Sequence, residues 1–175
     1  DNNTFTVQTT ITLPGVTNSS SSWGDYDNDG DLDLLLTGGN ISRIYRNNSD
    51  NTFSEQSAIV LPGVSYSSSA WGDFNNDGFP DILLTGRLAS QDYFSGIYLN
   101  NRNNTFTEQT GILLTGVNNS SVAPGDYNND GYLDILMTGN STSGPVSKIY
   151  LNNRDNTFTE QTSVGLEVVA YSSAS

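Results

Sequence analysis

The sequence contains no cysteine and no histidine among its 175 residues. Without cysteine, the chain can form neither disulfides nor thiolate metal sites. Without histidine, it lacks the commonest zinc ligand and the side chain that most often acts as a general base near neutral pH. These two absences argue against zinc enzymes and against histidine-based catalysis.

Positive charge is also scarce, because six Lys and Arg residues face 19 Asp and Glu residues and the formal net charge is −13. Contacts to nucleic acid and to anionic membranes depend on clustered Lys and Arg, so neither is expected as a partner. No apolar run approaches the ~20 residues that a membrane span requires. The sequence therefore predicts no membrane-spanning segment.

One ten-residue segment occurs three times in nearly the same form, beginning at Gly24, Gly72 and Gly125. Counted from the aspartate that follows this glycine, each copy has oxygen-bearing side chains at positions 1, 3, 5 and 9 and glycine at position 6. A hard cation such as Ca²⁺ is bound by side chains of this kind together with a backbone carbonyl at position 7, and the glycine permits the sharp turn. The sequence therefore predicts three calcium loops, numbered loop 1 to loop 3 along the chain.

The predicted ligands of about three Ca²⁺ ions follow from these positions. In loop 1 they are Asp25, Asp27, Asp29, Asp33 and the carbonyl of Asp31. In loop 2 they are Asp73, Asn75, Asp77, Asp81 and the carbonyl of Phe79. In loop 3 they are Asp126, Asn128, Asp130, Asp134 and the carbonyl of Tyr132.

Neither an EF-hand nor a solvated acidic surface accounts for these loops as well as a calcium loop does. An EF-hand begins alike, but it needs a glutamate at position 12 and flanking helices, and position 12 here is Leu36, Leu84 and Met137. A solvated surface accounts for an acidic run, yet ten of the fifteen aspartates occupy side-chain ligand positions of the three loops. Repetition at a fixed register therefore favours a metal, and Mg²⁺ is disfavoured because it retains its waters.

The loops lie inside a longer repeat whose four short segments are rich in β-branched and aromatic residues and are separated by Gly, Asn and Pro. This pattern predicts four strands per repeat, and no stretch has the 3.6-residue apolar period of a helix. The apolar run after each loop predicts a strand buried on both faces, whereas the last segment alternates like a strand exposed on one face. Such a decline in burial is typical of a propeller blade, so we predict an all-β fold of β-propeller blades.

The predicted repeat region spans residues 1–175. It divides into an outer strand of a preceding blade with its connection (1–18), three complete four-stranded blades (19–61, 62–114 and 115–163) and the start of a further blade (164–175). Residues 3–8 and 168–173 are then orphan strands, and three blades cannot close a ring of the usual kind. With no initiator methionine and no secretion signal, three alternatives remain: a piece of a longer repeat protein, several chains that share one ring, or an open fibre joined through edge strands.

Residues 23–38 read Trp-Gly-Asp-Tyr-Asp-Asn-Asp-Gly-Asp-Leu-Asp-Leu-Leu-Leu-Thr-Gly. This segment closely resembles the FG-GAP/VCBS-type repeat of integrin-α-like β-propellers and of many bacterial surface proteins, and the similarity covers essentially the whole chain. The resemblance implies a propeller of six to eight blades with Ca²⁺ in the loop that joins the first two strands of a blade. It also implies adhesion, carbohydrate or protein binding, and assembly outside the cytoplasm. The third copy departs from the pattern, because Pro124 replaces the tryptophan of positions 23 and 71.

Asn-x-Ser/Thr triplets form a second group of candidate sites, since they lie in predicted turns and could carry N-glycans in a host that glycosylates. They begin at Asn2, Asn18, Asn40, Asn47, Asn103, Asn118, Asn119 and Asn140. Three equivalent tyrosines, Tyr45, Tyr98 and Tyr150, suit either a sugar-stacking platform or packing between blades, and packing is favoured.

The function expected from these features is that of an extracellular or cell-surface module for adhesion or for binding a protein or carbohydrate, with structural Ca²⁺. The alternative is a structural protomer that self-associates into a surface fibre or a multi-chain ring through its orphan edge strands. Catalysis is not expected, because the aspartates that could form an acid–base pair belong to the loops and no nucleophile–base couple is visible.

Overall fold

The computed structural model describes residues 4–168, which form twelve β-strands and no helix. The strands are β1 Ser20–Gly24, β2 Asp33–Gly38, β3 Ile41–Asn47, β4 Phe53–Glu55, β5 Val64–Gly72, β6 Asp81–Leu88, β7 Tyr93–Asn100, β8 Phe106–Glu108, β9 Asn118–Gly125, β10 Asp134–Ser141, β11 Gly144–Asn152 and β12 Phe158–Glu160. The predicted all-β class is confirmed. Within the described residues, no helix is long and apolar enough to cross a membrane.

Successive strands pair antiparallel to form three units, which are unit 1 (β1–β4), unit 2 (β5–β8) and unit 3 (β9–β12). Units 1 and 2 are joined into one eight-stranded sheet by a single residue pair between β3 and β5, and unit 3 is a four-stranded sheet. Neither sheet closes on itself within residues 4–168. The chain therefore repeats one up-and-down arrangement of four strands three times.

The apolar core lies between neighbouring units, because successive side chains of a strand point to opposite faces of its sheet. Leu35 of β2 packs in one buried cluster with Ile82 and Leu84 of β6. Leu83, the intervening residue of β6, packs in a second buried cluster with Ile135 of β10. Unit 2 is thus covered on both faces, and the three units stack sheet against sheet.

Burial differs among the four strands of a unit. The second strand is the most buried and the three-residue fourth strand is the most exposed, whereas the first strand is only partly buried. The sequence pattern predicted that burial declines steadily from the first strand to the fourth. In the structure, burial is instead greatest at the second strand. The physical reason is that the second strand has a paired neighbour along both sides, while the first strand is paired along its length on one side only.

The two predicted end strands have different outcomes. Residues 4–8 belong to no strand, and the side chains of Phe5 and Val7 are exposed. A strand needs hydrogen-bonding partners, and residues 4–8 pair with no described strand. Residue 3 and residues 169–175, which hold nearly all of the strand predicted over 168–173, lie outside the described residues.

The glycosylation triplets differ in their accessibility. Asn18, Asn40 and Asn103 are exposed, and Asn47, Asn119 and Asn140 are partly buried. The predicted turn position is wrong at Asn47, Asn118, Asn119 and Asn140, because these residues lie in the paired strands β3, β9 and β10. The side chain of Asn118 is also buried. Asn2 lies outside the described residues.

The three equivalent tyrosines are buried in apolar clusters. Tyr98 packs between units 1 and 2, Tyr150 packs between units 2 and 3, and Tyr45 packs on the other face of unit 1. They therefore contribute to the core and cannot form an exposed platform for a sugar.

Candidate metal centre

Loops 1, 2 and 3 connect the first and second strands of units 1, 2 and 3. Two positions of each loop have a positive backbone φ. Position 4 is Asn28, Asn76 or Asn129, with φ of 57°, 55° and 58°, and position 6 is Gly30, Gly78 or Gly131, with φ of 94°, 88° and 89°. Asparagine tolerates the left-handed region and glycine enters it freely, so the three loops share one backbone conformation.

The carboxylate at position 1 holds the turn of each loop. In loop 1, Asp25 accepts hydrogen bonds from the backbone N–H groups of Asp29 at 3.0 Å and Gly30 at 2.9 Å. Asp73 and Asp126 accept the equivalent pairs of bonds in loops 2 and 3. One side chain therefore satisfies two loop donors in every copy.

The carboxylate at position 9 is buried and ties the loop to the third strand of its unit. Asp81 accepts hydrogen bonds from the backbone N–H of Phe74 at 2.9 Å and of Asn100 at 2.8 Å. Asp33 and Asp134 make the corresponding bonds in the other two loops. Burial raises the pKa of Asp81 to about 7 and that of Asp33 to about 6, although the backbone hydrogen bonds act in the opposite direction.

Positions 1, 3 and 5 come together in loop 1. The carboxylate oxygens of Asp25, Asp27 and Asp29 lie within 4.8 Å of one another. Two ligands of one Ca²⁺ are at most about 5 Å apart, because each Ca–O distance is about 2.3–2.6 Å. Oδ1 of Asp27 is buried and has no hydrogen-bond partner among residues 4–168, although buried polar atoms are nearly always paired. The donor set and the unpaired oxygen fit a calcium ion.

Loops 2 and 3 have asparagine at position 3. Oδ1 of Asn75 accepts a hydrogen bond from the backbone N–H of Asp77, and its amide donates to Oδ2 of the same residue, both at 3.0 Å. Asn128 contacts Asp130 in the same two ways. Positions 3 and 5 are therefore adjacent in all three loops, but loops 2 and 3 carry one carboxylate fewer there.

The backbone carbonyls predicted as ligands at position 7 stay a prediction. These residues do contribute their N–H groups to the loops, since Asp31, Phe79 and Tyr132 donate to the carboxylate at position 5 at 2.9–3.0 Å.

Loop 1 is contacted by an arginine that the sequence pattern did not assign to this loop. Arg46 of β3 donates from Nε to Asp27 Oδ2 and from Nη2 to Asp29 Oδ2, both at 2.7 Å. The N–H bond from Asp31 and the Arg46 guanidinium hold the pKa of Asp29 below its usual range. Arg46 therefore neutralises part of the charge of loop 1.

Loops 2 and 3 each contact an arginine that follows the third strand. Nη2 of Arg102 lies 3.1 Å from Asp77 Oδ2, and Nη2 of Arg154 lies 2.9 Å from Asp130 Oδ2. The hydrogen bond from Arg154 is the main cause that lowers the pKa of Asp130. Arg102 and Arg154 directly follow a repeated Asn-Asn pair, whereas Arg46 precedes its pair. An Asn-Asn-Arg motif in the sequence could therefore have indicated two of the three arginines, but not Arg46.

Neighbouring loops are linked by hydrogen bonds. The amide of Asn28 in loop 1 donates to the carbonyl of Gly78 in loop 2, and the amide of Asn76 in loop 2 donates to the carbonyl of Gly131 in loop 3, both at 2.8 Å. The three loops consequently form a continuous row along one edge of the stacked units.

Comparisons with known proteins agree with this repeated architecture. A family model described as FG-GAP-like repeat matches residues 25–84 and 88–137, and no curated protein sequence matches the chain. Among solved structures, the chain is similar to an Agrocybe aegerita lectin described as recognising non-reducing terminal N-acetylglucosamine, with a TM-score of 0.60 and 20% identity. The similarity covers 83% of this chain but only 38% of the lectin chain, and at this identity it shows the fold alone.

Proposed function

Because this chain belongs to the FG-GAP-like repeat family, we propose that it is a calcium-stabilised β-propeller repeat module that binds a carbohydrate or protein ligand outside the cell. The three units are its blades, and the ion in each loop is structural. The observation that carries the proposal is the buried, unpaired Oδ1 of Asp27 beside the carboxylates of Asp25 and Asp29.

Calcium in these loops supplies a positive charge and oxygen coordination to carboxylates that otherwise repel one another. The side chains that hold it are those at positions 1, 3, 5 and 9, named above for each loop. The chain's own contribution is to hold the loop in place, since the position 1 carboxylate fixes the turn and buried Asp81 fixes loop 2 to β7. The ion thus stabilises the link between the first two strands of a blade.

The proposed extracellular location rests on calcium availability. Loops of this kind suit affinities of about 10⁻⁴–10⁻³ M, which are typical of extracellular modules. Cytosolic Ca²⁺ leaves such sites empty, with their carboxylates uncompensated.

Carbohydrate is the first ligand class to test, because the lectin of similar fold is described as recognising terminal N-acetylglucosamine. The turns between the second and third strands of each unit are candidate contacts. They comprise residues 39–40, 89–92 and 142–143, of which the second is twice as long as the other two, and they lie at the ends of the strands opposite to the loops.

Thermal unfolding in Ca²⁺, Mg²⁺ and EDTA tests the structural ion. At about 100 times its dissociation constant, an ion stabilises the folded state by about 2.7 kcal/mol per site. In a domain of this size that corresponds to a rise of about 5–10 °C per site. We expect a large rise in the melting temperature in Ca²⁺ and a small one in Mg²⁺. Equal melting curves in Ca²⁺ and EDTA contradict the proposal, and an array of glycans that includes terminal N-acetylglucosamine tests the ligand class separately.

A further inference from the structure

The two interfaces between units share one aromatic contact. Tyr26, at position 2 of loop 1, is enclosed by Trp71 and Phe106 of unit 2, at centroid distances of 6.4 and 6.2 Å. Phe74, at position 2 of loop 2, packs edge-on against Phe158 of unit 3 at 6.1 Å. Both position 2 rings are buried. In each case, the aromatic residue of one loop is covered by the following unit.

The equivalent groups at the two ends of the stack are uncovered. Tyr127, at position 2 of loop 3, is 52% exposed. Trp23 of unit 1, the equivalent of Trp71, is 58% exposed and lies 6.1 Å from Phe53 at a ring angle of 52°. The pair that encloses Tyr26 has almost the same geometry, 6.2 Å and 49°. Among the described residues, no ring of another unit therefore packs against the Trp23–Phe53 pair of unit 1. Likewise, no aromatic pair of another unit covers the Tyr127 ring of unit 3.

Polar contacts between units follow the same arrangement. Asn100 donates to the carbonyl of Tyr26 at 2.7 Å, and Asn152 donates to the carbonyl of Phe74 at 2.8 Å. Asn47 is the equivalent residue of unit 1, and its amide donates only within its own unit among the described residues, at 3.3 Å.

Unit 3 has an apolar groove beside Gly125, at the position equivalent to the one that the Trp71 ring occupies beside Gly24 of unit 1. The groove has a volume of about 310 Å³, and its lining includes Gly125, Tyr127, Leu136 and Ile149. A Cβ at Gly125 has no described atom within 4 Å. A Cβ at Gly24, the equivalent residue of unit 1, lies 2.6 Å from the ring of Trp71. The groove thus has the space that the indole ring fills between units 1 and 2.

We propose that this groove receives Trp23 and Phe53 from a second copy of the chain. The uncovered surface of unit 1 (Trp23, Phe53 and Asn47) is the head face, and the uncovered surface of unit 3 (Gly125, Tyr127 and the groove) is the tail face. The occupant follows from the internal interfaces, because the head face repeats the groups that cover Tyr26 inside the chain. The contact between copies is independent of the proposed calcium and ligand binding, whereas its closure into a ring rests on the proposed propeller fold.

The contact is head-to-tail, so it forms a ring if the rotation between copies closes. Propellers typically have about four to eight blades. Two copies contribute six described units, and this is the only multiple of three in that range. Under the proposed propeller fold we therefore infer a closed pair of these 175-residue chains, in which each tail face receives the head face of the partner.

Sedimentation velocity over a range of protein concentrations in Ca²⁺ tests this arrangement. The wild-type chain should reach a limiting mass of twice 18.8 kDa. Trp23→Ala damages the head face, and Gly125→Val blocks the tail face at a position where an added Cβ has no described atom within 4 Å. Each variant should weaken the pair more than about 30-fold, as expected for a central aromatic contact. Gly111→Val is the matched control, because an added Cβ at Gly111 also has no described atom within 4 Å, but Gly111 lies in the connection between β8 and β9 and belongs to neither face.

A mixture of the two variants separates the head-to-tail contact from unspecific association. Trp23→Ala retains an intact tail face and Gly125→Val retains an intact head face, so the mixture should form a heterodimer through one contact although neither variant pairs alone. Unchanged melting temperatures of both variants at low concentration establish that the monomers are folded. A wild-type chain that stays monomeric, a mass that grows without limit, or a mixture that behaves like its separate components overturns the proposal.

Discussion

The indole ring of Trp71 lies over Gly24, so that a Cβ added at Gly24 would be 2.6 Å from two atoms of the ring. The ring is held in this position because its Nε1 donates a hydrogen bond to the carbonyl of Ser22 at 3.3 Å. Unit 1 thereby supplies both the space and the acceptor for an aromatic side chain of unit 2.

We expect Gly24→Ala to destabilise the chain by about 1–3 kcal/mol, the usual cost of overpacking a close contact. Gly125→Ala at the equivalent place in unit 3 should change stability by less than about 0.5 kcal/mol, because no described atom lies near the added methyl group. Urea unfolding of both variants at low protein concentration gives the comparison. Similar losses for the two variants contradict the interface described here.

Asn152 is buried and connects three backbone groups. Its amide donates to the carbonyls of Phe74 at 2.8 Å and Leu133 at 3.1 Å, and its Oδ1 accepts from the N–H of Arg154 at 2.9 Å. Asn152→Ala should cost about 2–3 kcal/mol, because buried carbonyls lose their donors. The neighbouring Asn153 is exposed and bonds to two threonine hydroxyls, so Asn153→Ala should cost clearly less in the same unfolding experiment.

Removal of one carboxylate should remove one ion. We expect Asp77→Ala to lower the Ca²⁺ stoichiometry from three to two in isothermal titration calorimetry and to reduce the thermal shift in Ca²⁺ accordingly. Asp155→Asn is a matched control for the loss of charge, because the equivalent residue of unit 2 is Asn103 and accepts the same threonine hydroxyl bond. An Asp77→Ala chain that still binds three ions contradicts the assignment of loop 2.

The arginine at loop 1 should compete with the ion. Arg46 contacts Asp27 and Asp29, so Arg46→Ala frees two carboxylates and should raise the Ca²⁺ affinity by up to about fivefold, given that exposed ion pairs contribute up to about 1 kcal/mol. Arg43→Ala is the control, since Arg43 pairs with Glu55 outside the loops and its loss should leave the affinity unchanged. A weaker affinity of Arg46→Ala in calorimetry reverses the expected sign and assigns Arg46 a supporting role in binding.

Stability without metal should depend on pH. Burial raises the pKa of Asp81 to about 7, whereas an unfolded aspartate titrates near about 3.9. The folded chain therefore binds more protons than the unfolded chain between these values, and stability falls as pH rises through this window. Urea midpoints in EDTA at several pH values from about 4.5 to 7.5 should show the decline, and Asp81→Asn should flatten it. A midpoint that rises with pH contradicts the expected sign.

The loop pattern predicted more of the site than of its surroundings. Spacing alone placed Asp25, Asp27 and Asp29 together, because side chains two residues apart in one tight turn converge whatever the rest of the fold. It could not predict that Arg46 of β3 contacts the same carboxylates, because that contact depends on the register in which β3 pairs with β2. In units 2 and 3 the arginine that contacts the loop comes after the Asn-Asn pair and not before it. Comparison of the three repeats therefore did not reveal the role of Arg46 either.

The fold class was predictable for a similar reason, whereas individual burial was not. Short alternating and apolar segments are local features and predicted all-β units. Asn118 shows the limit, because an Asn-x-Ser triplet is typical of an exposed turn, but this asparagine is buried in β9, a strand that packs against the preceding unit. Residues 4–8 show a second limit of sequence-based prediction, because a segment of strand-like composition does not form a strand without a paired neighbour.

The hydrogen bonds between neighbouring loops have a thermodynamic consequence. Asn28 reaches the carbonyl of Gly78, and Asn76 reaches the carbonyl of Gly131, so the amide of one turn is anchored by the backbone of the next. An ion that rigidifies loop 2 thereby lowers the entropy that loops 1 and 3 still have to lose when they bind their own ions. Under the proposed calcium binding, the row of loops acts as a positively cooperative system, whose saturation curve is steeper than that of three independent sites.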